Sequence, residues 1–264
     1  MGIVRDAIVE HIKEQDARRT AERQARKAKS TDEPRLSVSS LGKCPRAAVM
    51  DALQEVRDFG EPRPHDDGLL ELFELGHVWQ AETSIALHDY FGHEMVTIQE
   101  EERVENDVWR GRMDFSIPPC EEYVPGAIIE HKATGSWSNV PFRDHIWQVL
   151  AYKYLLGDPD IETWLYYRGY NKWAELKVWQ FGDDLVYEGE MDGKPKSGVL
   201  PNLPLRNEMD CFEFHWKQRE VALPPILDIM NGCFKPWKGI RAYPSCRWLP
   251  ICHPDVEWEP IKLR

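Results

Sequence analysis

The hydrophobic period of this chain changes at Gly92, and that change limits its possible folds more than any other feature. Up to Gly92, apolar residues recur at helical spacing, and "DDGLLELFELGHVWQAETSIALHDYFG" reads as one long helix closed by its glycine. Beyond it "MVTIQEEERVE" and "WRGRMDFSI" alternate like strands, and "GAIIEHKAT" reads as a short buried strand. "VPFRDHIWQVLAYKYLLG" returns to helical spacing and stops at Gly157. Then "TWLYYRGYN" and "AELKVWQF" read as two further strands, with a helix around residues 205–230. Ahead of the long helix, "SVSSLGKCPRAAVMDALQEV" reads as a loop and then a helix, with Cys44 and Pro45 at its start. Strands interleaved with helices, without an internal repeat, predict a mixed α/β domain with a helical flank.

The 264 residues suffice for one substantial core. Residues 1–34 read as a charged helical extension that ends at "STDEP", because Pro34 disfavours helix in the residue before it. Such a charge run is a solvated extension or a contact for DNA or a protein partner. Residues 35–264 form the domain, and their tail from Gly232 is irregular and rich in Cys, Trp and Pro. The net charge of -12 excludes a general phosphate-binding coat but leaves room for a local basic groove. The charged N-terminus lacks a signal-peptide core, and no run approaches the roughly 20 apolar residues that span a bilayer. A cytoplasmic protein without a membrane partner is expected, so the 6 cysteines read as reduced thiols or metal ligands.

The stretch "IIEHKATG" poses the chemical question. Burying unpaired charge costs several kcal/mol, yet Glu130, His131 and Lys132 follow directly on two isoleucines. Glu130 and Lys132 are two apart on a strand, so their side chains leave on the same face. If the strand carrying Asp114 pairs beside them, the two carboxylates converge on a hard divalent cation, Mg²⁺ or Mn²⁺, with Lys132 next to it. That set suits metal-assisted hydrolysis of a phosphodiester, where the lysine orients water or stabilises charge on the phosphate. On the following helix Gln148 and Tyr152 are four apart and share one face.

Taken in order, "GRMD", "IIEHK" and "QVLAY" resemble the PD-(D/E)xK nuclease superfamily in its RecB-like branch, whose pattern is GxxD, ExK and QxxxY. The resemblance implies an α/β, restriction-endonuclease-like core with a central mixed sheet flanked by helices. It assigns the metal to Asp114, Glu130 and the backbone carbonyl of His131, makes Lys132 the catalytic lysine, and places Gln148 and Tyr152 on the signature helix. The family's GxxxH histidine is replaced here: after Gly76 stands Gln80, whose amide oxygen can serve Mg²⁺. His77 and Glu82 are close in sequence, but one helical turn cannot aim all three at one point.

Cys44 in "GKCPRAA", with Cys233, Cys246 and Cys252 in the tail, resembles the cysteine arrangement of iron–sulfur nucleases similar to CRISPR-associated protein four and the AddB subunit. The resemblance implies a 4Fe–4S cluster on these four; four thiolates also suit Zn²⁺. Tyr243 occupies the first position of the family's usual CxxC, so Cys233 must substitute from upstream. Cys211 is an alternative fourth ligand, and Cys120 reads as a bystander.

The function expected is that of a metal-dependent DNA nuclease, an exonuclease on single strands or DNA ends, serving recombination, repair or CRISPR-type processing. Arg46, Arg112, Lys153 and Arg168 are candidates for phosphate contacts or plain surface charge. The alternatives are a non-catalytic nuclease-fold module that binds DNA or a protein partner, and the same chemistry on RNA.

Overall fold

The structure, a computed structural model, describes residues 10–14, 17, 18, 21, 33–42, 44–54, 67–91, 98–119 and 125–219. Those of the N-terminal extension before residue 33 are all helical. The domain proper opens with β1 (Leu36–Ser37), a 3-10 turn (Val38–Ser40) and helix α1 (Pro45–Leu53), where Pro45 occupies the first turn and needs no amide partner. Helix α2 (Asp67–Phe91) follows, then β2 (Gln99–Glu105), β3 (Trp109–Ile117) and β4 (Ala127–Ala133). Helix α3 (Arg143–Leu156) ends at Gly157, whose φ of 70° closes it in the left-handed conformation. β5 (Glu162–Arg168), β6 (Trp173–Phe181), β7 (Asp184–Met191), β8 (Lys194–Leu200) and helix α4 (Leu205–Lys217) complete the order.

The expected mixed α/β architecture is present. One eight-stranded sheet runs β1-β3-β4-β5-β6-β7-β8, with β2 also paired to β3. β1 is parallel to β3 and β4 to β5; the remaining neighbours are antiparallel. Two strands depart from the sequence expectation: β7 and β8 extend the sheet as a meander beyond β6. Their hairpin turns at Asp192 (φ 52°) and Gly193 (φ 71°), the two positive angles of a tight hairpin whose twist matches that of the strands. The last helix closes at Lys217, shorter than the expected 205–230, and residues after 219 lie outside the described part. Among the described residues no helix is long and apolar enough to cross a membrane.

Among the described residues two cores hold the sheet. The larger packs Val49, Ile146, Val149, Leu150, Met209 and Phe212 of α1, α3 and α4 against Ile128, Leu165, Leu176 and Trp109 of the strands. The smaller joins Phe115, Ile117 and Ala127 to Leu87 and Phe91 of α2. Strand β3 changes cores along its length: Trp109 and Met113 lie in the larger, while Phe115 and Ile117, of the same parity, lie in the smaller. The chain through β2 does likewise, with Val104 in one core and Ile98, the residue before the strand, in the other. A regular strand keeps one parity on one face, so both strands rotate midway.

Candidate functional site

Glu101 and Asp114 stand where that rotation occurs. The pairs Glu100↔Phe115 and Glu102↔Met113 flank them, so the register sets the two opposite each other. Glu101 absorbs the rotation with φ of 55°, an angle rare for residues other than glycine. On its other edge β3 pairs with β1 at Trp109 and Arg110 and with β4 at Phe115, Ser116 and Ile117. Gly111 to Asp114 fall in the gap between those partners, and side chains take over where the ladder lapses.

The expected residues meet there. Asp114 accepts the His131 backbone N–H at Oδ2 (2.8 Å), a side-chain bond to the strand carrying Glu130. Glu130 is 2% exposed, and its Oε1 accepts from Lys132 Nζ (2.6 Å) and Gln148 Nε2 (2.6 Å). Lys132 Nζ also donates to Gln148 Oε1 (3.0 Å), so the glutamine holds both members of the ion pair. Gln148 Nε2 donates to Tyr152 Oη (2.7 Å), which donates to the Arg112 carbonyl inside the gap (3.0 Å). Gln148 and Tyr152 therefore share a face as expected, but Tyr152 is 2% exposed and acts as a prop beneath the site.

The electrostatics follow from burial. Burial first, then the Glu130 charge, pushes the half-buried Asp114 carboxyl up to about 8, against the pull of Lys132 and the His131 N–H. Glu130 is raised chiefly by burial, with Lys132 opposing. For Lys132 burial acts downward, but Glu130 and Asp114 outweigh it and hold its pKa above the ordinary value, so the ammonium stays charged. Burial, then Glu130, raises Tyr152 and keeps its phenol a donor. His131 faces the other way, its ring 5.6 Å from that of Tyr166; burial, then Arg168 and Lys132, lowers it to about 4, so it is neutral.

The donor set fits a hard cation in one respect and falls short in another. Glu130 Oε2 is buried without a hydrogen-bond partner, an orphaned carboxyl oxygen in the same site as a second acid, Asp114. Such an atom is costly unless something binds it, and a divalent cation would favour ionisation of both acids. Yet among the described residues no three His, Cys, Asp or Glu side chains gather into a set that could hold a metal ion. Any cation would draw on Asp114, Glu130 and oxygens other than those types supply, such as the His131 carbonyl.

Gln80 lies at the site on α2, which crosses β4 with Gly76 against Ala133, where an added Cβ would come within 3.2 Å. Its amide nitrogen, not its oxygen, faces the carboxylates: Nε2 donates to Asp114 Oδ1 (3.3 Å) and Glu101 Oε1 (3.1 Å). Glu101, which also pairs with Arg112, is thus a third carboxylate that the sequence pattern did not mark. It sits in a run of glutamates that reads as a solvated edge, and only the β2–β3 register reveals it.

The four cations separate. Arg112 is exposed at the site, tied to Glu101. Arg168 aligns with Ala133, pairs with Glu82 (2.7 Å) and lies 5.6 Å over Trp79. Lys153 points away, donating to the Ile161 carbonyl (2.7 Å); Leu165, level with Glu130, is four residues further on, about 13 Å along a strand. Arg46 is half-buried on α1. Cys44 caps α1, half-buried, and Cys211 is buried in α4. Cys120, Cys233, Cys246 and Cys252 lie outside the described residues, as does Tyr243. His77 is exposed on α2.

No protein-family description matches this sequence, and no curated protein matches it. Among solved structures the chain is similar to one described as "Crystal structure of SSO0001", with a TM-score of 0.49 and 14% identity over 97% of this chain and 98% of that one.

Proposed function

We propose that this protein is a metal-dependent deoxyribonuclease with a restriction-endonuclease-like core, hydrolysing phosphodiester bonds in single-stranded DNA or at DNA ends. The observation that carries the reading is the meeting of Asp114, Glu130 and Lys132 at the gap in β3, with one Glu130 oxygen buried and unpartnered. Mg²⁺ or Mn²⁺, held by Asp114, Glu130 and the His131 carbonyl, would supply Lewis acidity at the phosphoryl group and acidify a water. Lys132 keeps its proton and offers positive charge to the phosphate oxygens as negative charge builds on them. Gln148 fixes the ammonium from one side and Glu130 from the other, so it needs no reorientation during reaction. Arg112, exposed at the gap in β3, and Arg168, the last residue of β5, are the cations proposed to meet the phosphate backbone.

Cys44 with Cys233, Cys246 and Cys252 is proposed to hold a 4Fe–4S cluster, or Zn²⁺ in its place. Cys44 stands at the N-cap of α1, the positive end of that helix. Iron, acid-labile sulfide and zinc analysis of anaerobically purified protein tests this.

A second reading, a non-catalytic module that binds DNA or a protein, draws on Gln80, whose amide nitrogen faces the carboxylates where the resembling family has a histidine ligand. One experiment separates the two: cleavage of end-labelled single- and double-stranded DNA with Mg²⁺ or Mn²⁺, alongside Lys132→Ala and an RNA control. The nuclease reading expects cleavage that falls about 10²–10³-fold in the variant. No cleavage with either metal by protein with its cysteine-bound group intact favours the binding module.

A further inference from the structure

We infer that Glu101 is a positioning residue of the cation site, setting the direction of Asp114 through its backbone and through Gln80; this rests on the cation reading above. Three observations meet at this residue. First, β2 and β3 exchange cores across the Glu101–Asp114 pair, so the rotation there sets the direction in which Asp114 leaves its strand. Second, the rotation is carried by φ of 55° at Glu101, in mid-strand with regular pairs on both sides. Glycine adopts that angle freely and a side chain opposes it, so backbone geometry alone would select glycine. Third, the side chain that bears this strain is engaged at the site. Gln80 Nε2 bridges Glu101 Oε1 and Asp114 Oδ1, and Glu101 Oε2 pairs with Arg112. The pair with Arg112 is too exposed to justify the strain, since surface ion pairs contribute little.

With Gln80 on Oδ1 and the His131 N–H on Oδ2, the Asp114 carboxylate is fixed in rotation and tilt. Each oxygen keeps a lone pair for a cation. Gln80 serves here as the link between two carboxylates, and Glu101 is its anchor. Residues that orient a ligand in this way typically govern metal affinity by 10- to 100-fold.

The test is Mn²⁺ binding by the full chain, read from the electron paramagnetic resonance of unbound Mn²⁺ during titration, with thermal denaturation in parallel. Asp114→Asn identifies the site. Glu101→Gly is expected to unfold no lower than wild type, because its backbone strain is relieved, while its Mn²⁺ affinity falls about 10-fold or more. Glu101→Gln keeps an oxygen for Gln80 to donate to and is expected to recover most of that loss. A Glu101→Gly protein that binds Mn²⁺ like wild type overturns the inference. So does one that loses affinity only together with thermal stability, since the residue is then structural. Wild-type protein with no Mn²⁺ binding that Asp114→Asn removes overturns the cation reading itself, and this inference with it.

Discussion

Replacing Tyr152 by phenylalanine separates support of the site from chemistry at it. The ring remains, and the hydroxyl takes with it the bond from Gln148 Nε2 (2.7 Å) and the bond to the Arg112 carbonyl (3.0 Å). Both lie in the interior, where Tyr152 is 2% exposed, so water cannot readily replace the lost partner. An unmet buried acceptor costs about 1–3 kcal/mol, while Gln148 keeps its bonds to Glu130 and Lys132. A total near 2 kcal/mol follows, or a drop of roughly 4–8 °C in melting temperature for a chain of this size. Because Lys132 and Glu130 stay held, kcat is expected to fall less than about 10-fold, against 10²–10³-fold for Lys132→Ala. Circular-dichroism melts and cleavage of end-labelled DNA provide the two readings. A Tyr152→Phe protein that melts like wild type but has lost all cleavage would refute the reasoning, since the phenol would then have to touch the reacting group.

Two further substitutions probe the frame around the site. Glu208 is buried in α4 and accepts the Gly42 N–H (3.0 Å); burial raises its carboxyl to about 8, with that bond and Arg143 opposing. Between 4.5 and 8 the folded state keeps a proton that the unfolded state has released, so stability falls as pH rises, by at most about 1.4 kcal/mol per unit. Glu208→Gln keeps an acceptor without the charge: its melting temperature is expected to match wild type near pH 4 and exceed it at pH 8–9, and parallel curves would contradict this. Gly111→Ala places a Cβ 2.4 Å from the Tyr152 ring and 3.2 Å from Val38 Cγ2. Overpacking at so enclosed a point is expected to cost about 1–3 kcal/mol in urea denaturation, and an unchanged midpoint would show that the ring can move aside.

Elements with a strong period were legible in the sequence. α2 and α3 show helical spacing, α3 closed by Gly157, and β3 to β6 alternate or run apolar because each buries at least part of a face. β7 and β8 were not, because "DLVYEGEM" and "KPKSGVL" lie toward the free edge of the sheet and are held more by their ladders than by burial. The turn at Asp192 and Gly193 carried the local signal, a residue pair suited to two positive φ angles. The order Asp114, Glu130, Lys132, Gln148 was legible because its spacings survive along a strand and a helix. The role of Tyr152 as a buried prop was not, since it depends on which carbonyl β3 leaves unpaired.

That dependence explains how charge is tolerated at this point in the fold. A continuous ladder along β3 would satisfy its backbone and leave the carboxylates to repel each other with nothing between them. Instead β1 and β4 each cover only part of one β3 edge, and the Arg112 carbonyl and the His131 N–H are met by Tyr152 and Asp114 side chains. The hydrogen bonds that replace the ladder form a chain from the Arg112 carbonyl through Tyr152 and Gln148 to Glu130 and Lys132. Through it, a buried ion pair gains neutral partners, as such pairs must if they are not to destabilise the fold. One atom is left out of this accounting, Glu130 Oε2. The network satisfies Glu130 Oε1, Lys132 and Gln148 and not this oxygen, and for that reason the proposed cation is placed there rather than at any other acidic patch on this acidic chain.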